Sequence, residues 1–140
     1  MTEFLNAFYG EEAAKYIREY INYIEYKTEK AYHLYCFNWP YQNGFYSLFE
    51  RKKIDKLWND AEKAAKTDEQ LERVQRSRLS WRYYKSCMYL DEFNPITRIR
   101  ENKKFYNDLV RLGVTQLKEG STLVDNPDYF AGPTSWSVKR

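Results

Sequence analysis

The sequence predicts an all-α protein: a four-helix, up-down bundle-like domain over residues 1–120, followed by an extended tail over residues 121–140. Two observations lead to this fold class. Apolar side chains recur every three or four residues in several long segments, as expected for helices that bury one face. Aromatic residues make up 19% of the 140 residues, so a helical domain of this size has enough apolar bulk for a core without disulfides or a metal.

The first helix is predicted from Glu11 to Tyr35. Gly10 and the acidic pair after it suit a helix start, because negative charge stabilises the positive end of the helix dipole. One face carries a broad apolar stripe, made of Ala13, Tyr16, Ile17, Tyr20, Tyr23, Ile24, Ala31, Leu34 and Tyr35. A stripe of this width predicts contact with more than one neighbour. Tyr26 and His33 lie outside the stripe, on the polar side of the helix.

The second helix is predicted to begin after Ser47 and to run to about Lys66. Ser47 and Glu50 have the spacing of a capping box, in which the side chain of each residue bonds the backbone of the other. The apolar face of this helix consists of Ile54, Leu57, Trp58, Ala61, Ala64 and Ala65. The small residues near its end would let another helix approach closely.

The third helix is predicted from Asp68 to about Leu90, with a second capping box formed by Thr67 and Gln70. The connection to the second helix is very short, which predicts that the two form an antiparallel hairpin. Three basic side chains project in the general direction of its core side: Arg78, Arg82 and Lys85. Either these residues meet acidic partners, or they bury their stems and extend their charged ends into solvent.

The fourth helix is predicted to start at Asn94 and Pro95, which suit the cap and first helical positions, and to end at Gly113. Residues 114–117 have the composition of a short strand. The chain after Gly120 is rich in Gly, Pro, Ser and Asn, which predicts an extended tail. The tail contains three aromatic residues, Tyr129, Phe130 and Trp136. They indicate that the tail packs against another surface.

Charge is distributed unevenly along the chain. Residues 1–72 contain 10 basic and 13 acidic side chains, whereas residues 73–111 contain 10 basic and 4 acidic ones. The basic segment could form an anion-binding face, or the two segments could attract each other. Nucleic-acid binding is disfavoured, because no helix-turn-helix pattern joins the basic helices and the acidic segment would oppose it. The mean hydropathy of -0.85 and the absence of a long apolar run exclude a membrane span.

No residue pattern predicts catalysis, a metal site or a cofactor. His33 is the only histidine, and on a polar helix face it is expected to be a surface residue. Cys36 and Cys87 are expected to be buried free thiols, although an oxidising compartment would allow a disulfide between them. Residues 125–128 (Asp-Asn-Pro-Asp) lack the glycine and glutamate of a calcium loop and are predicted to be a turn. No signal peptide is predicted at the N-terminus, and the sequence leaves the cellular location open.

The strongest candidate for a ligand site is the aromatic connection between the first two predicted helices, residues 35–46. Trp39 and Tyr41 offer flat apolar faces, and Asn43 offers hydrogen bonds. This mixture could stack against sugar rings or anchor a neighbouring protein. The alternative is that these rings fold back and close the end of the helical core.

Three segments, taken in order, resemble the helical region of large bacterial glycoside-hydrolase-like proteins of a domain-of-unknown-function family. Residues 8–21 (FYGEEAAKYIREYI) are similar to its "YYG-x-A-A-x-Y-I-x-x-Y" pattern. Residues 54–62 with residues 71–81 look like its "L-F-D-E-A-E … L-x-R-V-x-x-A-R-L" hairpin. Residues 111–120 are similar to its closing "GVT-x-x-x-EG" segment. Together the three segments cover most of residues 8–120.

The resemblance implies that this chain is the helical region that follows a TIM-barrel domain in such proteins. Catalytic residues of barrel enzymes lie on barrel loops, so the resemblance assigns none to this chain. The expected function is therefore a non-catalytic accessory domain of a carbohydrate-active protein, which packs on the barrel through part of the first-helix stripe. An isolated domain would then expose an apolar patch or form a homodimer through it. The alternative is a stand-alone module that binds a glycan through the aromatic connection, an anion through Arg98, Lys103 and Lys104, or another protein.

Overall fold

The computed structural model describes residues 1–30, 45–88, 94–118 and 121–123, and over these residues the fold is all-α, as the sequence predicts. The described residues form five helices and two short strands, α1 (Thr2–Tyr9), α2 (Glu11–Glu29), α3 (Leu48–Ala64), α4 (Asp68–Met88), α5 (Pro95–Arg111), β1 (Gln116–Lys118) and β2 (Ser121–Thr122). The chain divides into two compact units, Met1–Arg78 and Leu79–Arg140, and α4 contributes residues to both.

Helix α1 is an additional element that the sequence analysis did not identify. Gly10 separates it from α2 by a single residue, whose φ of 80° and ψ of 146° lie in a region that only glycine adopts easily. The Gly10 N–H donates to the Asn6 carbonyl, and the Gly10 carbonyl accepts from the Ala14 N–H, both at 2.9 Å. The chain therefore changes direction at Gly10 without leaving either backbone group unpaired. The prediction of a helix start after Gly10 is correct.

The apolar stripe of α2 is covered by two neighbours in the same chain, because α1 and α3 both pack closely against α2. Within the described part of α2 no residue of the stripe is exposed. The rings of Tyr20 and Trp58 lie 4.9 Å apart, centroid to centroid. The buried residues of the three helices are Leu5 and Tyr9 of α1, Ala13, Ala14 and Ile17 of α2, and Ile54, Leu57, Trp58 and Ala61 of α3. This confirms that a stripe of such width has more than one neighbour. The stripe residues beyond residue 30 lie outside the described part.

The predicted capping box of Ser47 and Glu50 is complete, and the one predicted for Thr67 and Gln70 is half formed. The Ser47 hydroxyl accepts from the Glu50 N–H at 3.3 Å, and the Glu50 carboxylate accepts from the Ser47 N–H at 2.7 Å. At the start of α4, the Thr67 hydroxyl accepts from the Gln70 N–H at 3.2 Å. The reciprocal bond there reaches one residue further back than the usual box, because the Gln70 amide oxygen accepts from the Lys66 N–H at 2.9 Å.

Helices α3 and α4 are joined by residues 65–67 only, as expected for a hairpin connection. Long side chains connect the two helices: one guanidinium nitrogen of Arg78 donates to Asn59 and to Glu62, each at 2.8 Å. Helix α4 also contacts α1, since the Tyr9 and Ser77 hydroxyls lie 2.7 Å apart. The contacts of α4 within the first unit therefore depend on hydrogen bonds as well as on apolar packing.

The second unit has its own apolar core, formed by Leu79, Phe105, Leu109, Leu112 and Leu123. The Asn94 side chain caps α5 by accepting from the Thr97 N–H at 2.9 Å, and Gly113, with φ 72°, follows the end of the helix, both as predicted. Strand β1 overlaps the predicted strand at residues 114–117 and pairs antiparallel with β2. Of the predicted tail, residues 124–140 lie outside the described part.

Candidate functional site

The predicted ligand residues Trp39, Tyr41 and Asn43 lie outside the described residues, and so do His33 and Cys36. The described residues on either side of this segment form a compact group around one carboxylate. We call this group the Glu50 cluster, and its members are Tyr23, Lys27, Phe45, Tyr46, Ser47 and Glu50. It brings the last turns of α2 together with the residues that lead into α3.

Glu50 is the centre of the cluster because its carboxylate accepts from three different donors. One oxygen, Oε1, accepts from the Tyr23 hydroxyl at 2.6 Å and from the Lys27 ammonium at 2.9 Å. The other oxygen, Oε2, accepts from the backbone N–H of Ser47 at 2.7 Å. Glu50 occupies the third position of α3, where the helix dipole also favours a negative charge. The capping residue of α3 thus also fixes the position of α2.

The protonation states of the cluster follow from this geometry. Burial acts to raise the pKa of Glu50, but the hydrogen bonds from Tyr23, Lys27 and Ser47 outweigh it and lower that pKa from 4.5 to about 2. Burial raises the pKa of Tyr23 above its ordinary value, and the hydrogen bond to Glu50 raises it further. Neither group therefore titrates near neutral pH, where a general acid or base has to exchange its proton. The pair is suited to holding structure rather than to proton transfer.

Lys27 adds a cation that aromatic rings partly enclose. Its ammonium lies 5.4 Å from the ring centroid of Phe45 and 5.7 Å from that of Tyr46, in addition to its ion pair with Glu50. Such a cation over ring faces gains from the negative potential of the π-electrons. The guanidinium of Arg51 donates to the Tyr46 carbonyl at 2.8 Å and fixes the backbone at the same place. The end of α2 and the start of α3 therefore lie next to each other in space.

Parts of this cluster were predictable from the sequence, but their meeting was not. Glu50 was identified as a cap and Tyr23 as a core residue, and Lys27 was not singled out. The sequence pattern that could have indicated the cluster is the spacing of Tyr23 and Lys27. This spacing places a hydroxyl and an ammonium one helical turn apart on the same face of α2. Only the fold shows that the capping carboxylate of the next helix meets that face.

The basic residues of α4 meet acidic partners in the same chain, which decides between the two alternatives left open for Arg78 and Arg82. Arg78 pairs with Glu62 at 2.8 Å, and Arg82 pairs with Asp108 at 2.7 Å. The guanidinium of Arg82 also lies 5.0 Å from the ring centroid of Phe105. These two arginines therefore stabilise the fold, whereas Lys103 and Lys104 of the predicted anion site are exposed on α5.

Large apolar side chains remain exposed at several places in the described structure. In the first unit they are Met1, Phe4, Tyr26, Leu48 and Phe49, and on α5 they are Ile96, Ile99 and Val110. Tyr26 lies on the polar side of α2, as predicted, and the Lys30 ammonium lies 4.3 Å from its ring centroid. Among the described helices, none is long and apolar enough to cross a membrane. Over the same residues, no group of three or more His, Cys, Asp or Glu side chains could hold a metal ion.

Comparison with known proteins adds no relative: the chain matches no protein-family profile, no curated protein and no solved structure. The resemblance of residues 8–120 to the helical region of glycoside-hydrolase-like proteins therefore stays a prediction.

Proposed function

We propose that this chain is a non-catalytic helical accessory domain of a carbohydrate-active, glycoside-hydrolase-like protein, and that it packs on the catalytic barrel of its parent protein. The observation that carries this proposal is that the Glu50 cluster is engaged within the chain, whereas several large apolar side chains are exposed to solvent. The Glu50 cluster is engaged by its own contacts, since the Glu50 carboxylate accepts from three donors in the same chain. Large apolar side chains, by contrast, remain on the surface. This combination favours docking over chemistry.

The apolar stripe of α2 does not support the docking surface that the sequence led us to expect. The apolar stripe of α2 was expected to contact the barrel in part, but α1 and α3 cover it over the described residues. Helix α1 was not anticipated, so one of the two covering elements was missing from that expectation. The exposed residues Phe49 of α3 and Ile96 of α5, with exposed fractions of 80% and 82%, are better placed to meet a partner.

The direct test is to read the coding sequence upstream of Met1 and to co-express its product with this chain. The proposal expects a barrel domain in the same reading frame, and it expects the barrel to co-purify with the chain when the two are expressed as separate polypeptides. The exposed apolar residues of the first unit predict that the isolated chain self-associates at high concentration, which sedimentation velocity would detect. A chain with no barrel in its reading frame that stays monomeric at all concentrations would overturn the proposal.

The alternative function is a stand-alone module that binds a glycan or an anion. The Glu50 cluster favours it in one respect, because it fixes both borders of the segment that contains Trp39, Tyr41 and Asn43. A glycan array with the unmodified chain and with the Trp39→Ala and Tyr41→Ala variants tests the hypothesis of glycan binding. Binding of single-stranded DNA, measured over a range of salt concentrations for the unmodified chain and for Lys103→Ala and Lys104→Ala, tests the hypothesis of anion binding. Absence of binding in both assays would remove this alternative.

A further inference from the structure

Helix α5 has a second apolar face in addition to the one that it buries. Phe105, Leu109 and Leu112 face the core of the second unit and are almost completely buried. A separate line of residues, which we call the α5 seam, runs along another face and consists of Ile96, Ile99, Lys103, Tyr106 and Val110. At 100° per residue, the seam and the core residues lie on different sides of the helix. The core of this unit therefore does not account for the aliphatic residues of the seam.

The seam is exposed where its side chains are aliphatic. The exposed fractions are 82% for Ile96, 42% for Ile99 and 56% for Val110, while Tyr106 is half-buried and packs against the core cluster. Leaving three aliphatic side chains in water on a single helix forgoes a stabilisation that burial against a partner would recover. The position of Tyr106 within the seam is fixed, because this residue packs against the core cluster of the second unit.

The spacing of the seam suits a helical partner. Its five positions follow one another at alternating intervals of three and four residues, which is the repeat with which two helices pack along a common line. The line is also narrow, whereas a helix that lies in a membrane surface presents a wide apolar face.

The charge beside the seam indicates that the partner is acidic. Helix α5 carries five basic side chains and two acidic ones. The two carboxylates are already engaged, Asp108 by Arg82 and Glu101 by a longer contact with Arg100. Lys103 within the seam and Lys104, about 100° further round the helix, are exposed and take part in none of the ion pairs found among the described residues. A second copy of α5 on this face would bring lysine against lysine, which disfavours self-pairing.

We propose that the α5 seam is a docking site for an amphipathic helix that carries apolar residues at heptad positions and carboxylates beside them. This inference rests on the proposed function in that the chain acts by docking, and it adds which surface docks and the chemistry of its partner. Aliphatic contacts along the seam provide affinity, and the lysines select an acidic helix and orient it.

The test uses the full chain and a fluorescent synthetic peptide of about three heptads, with Leu at positions a and d and Glu at e and g. Repulsion between its glutamates keeps the free peptide from pairing with itself. Fluorescence anisotropy should show saturable binding that weakens with salt. The Ile96→Ser/Ile99→Ser variant should bind about tenfold or more weakly, and Lys103→Glu/Lys104→Glu should also lose affinity. Phe49→Ser is the matched control, because it removes an equally exposed apolar side chain of the first unit and should bind normally.

Circular dichroism melting curves should be the same for the seam variants and the unmodified chain, because the substituted side chains are exposed. The inference is overturned by absence of binding, by equal binding of a peptide with Lys at e and g, or by an equal loss in Phe49→Ser. It is also overturned if vesicles of phosphatidylserine and phosphatidylcholine bind the chain with the same dependence on Ile96 and Ile99 while the peptide does not. If the peptide fails but the chain still co-purifies with a barrel, the docking function stands and only the assignment of the seam is lost.

Discussion

The hydroxyl of Tyr23 and the carboxylate of Glu50 lie 2.6 Å apart and join the last part of α2 to the first turn of α3. Glu50 is also the capping-box residue of α3 and the partner of Lys27. One side chain therefore contributes to the start of one helix and to the packing of that helix against another. Its removal should affect both, so the energetic consequences are measurable on the intact chain.

Replacing Glu50 with Gln should reduce the free energy of unfolding at pH 7 by about 1–3 kcal/mol, because a charged acceptor of three hydrogen bonds is lost. The folded-state pKa of about 2 lies below the ordinary value of 4.5. The stabilisation by Glu50 is therefore fully present above about pH 4.5 and is lost as the pH falls towards 2. Urea unfolding at a series of pH values should show the difference between the two proteins shrinking over this window.

Glu25→Gln is the control for that experiment, because Glu25 is an exposed residue of α2 whose side chain makes none of the ion pairs found among the described residues. It should change the unfolding free energy by less than about 0.5 kcal/mol at any pH in the series. A pH-independent loss in Glu50→Gln would contradict the assignment, since it would mean that the charge of Glu50 does not contribute.

Tyr23→Phe should remove a stabilisation that is present at neutral pH and lost at alkaline pH. The folded-state pKa of Tyr23 is raised above its ordinary value of 10.0 by burial and by Glu50. Its contribution is present below pH 10 and is lost as the pH rises, because the unfolded chain then ionises first. The unfolding free energies of the two proteins, measured by urea from pH 8 to pH 11, should converge above pH 10. Parallel curves over the whole range would show that the phenol ionises equally in both states.

The sequence was sufficient for the features that depend on local chemistry. The capping residues Ser47, Thr67 and Asn94 are each found where short-range patterns place them, because a cap involves only neighbouring backbone groups. Helix α1 was missed because its eight residues follow directly on Met1 and have no capping side chain to mark their start. The Glu50 cluster was missed because the two bonds that join Glu50 to α2 link residues 23 or more positions apart, which no local pattern encodes.

Gly10→Ala should destabilise the first unit through two separate effects. The backbone of Gly10, with φ 80° and ψ 146°, lies in a region where a side chain costs about 1–3 kcal/mol. A Cβ atom at this position would also lie 2.7 Å from the side-chain amide of Gln70. Shortening Gln70 to Ala in the same protein should relieve the contact but not the backbone strain. Thermal unfolding should thus show partial rescue of Gly10→Ala by Gln70→Ala, after allowance for the single Gln70→Ala change.

Full rescue in that double variant would show that the contact alone requires glycine at position 10. Absence of rescue would show that the backbone conformation accounts for the whole effect. Gln70→Ala by itself is expected to cost about 0.5–1.5 kcal/mol, because the Gln70 amide oxygen accepts from the Lys66 N–H at the start of α4. The comparison therefore needs all four proteins of the cycle.

Arg82→Lys should destabilise the second unit although it keeps the positive charge. Arg82 bonds Asp108 at 2.7 Å while its guanidinium lies over the ring of Phe105 at 5.0 Å. A lysine keeps the charge, but its ammonium has no planar group to stack on the ring and no rigid fork of donors, so both contacts weaken. The expected loss in unfolding free energy is about 1–2 kcal/mol. Arg100→Lys is the matched control, since Arg100 is exposed and its contact with Glu101 is long, at 3.5 Å. Hydrogen exchange of the α5 amides should be faster in Arg82→Lys and unchanged in Arg100→Lys, and equal exchange in the two variants would contradict a structural role for the Arg82 contacts.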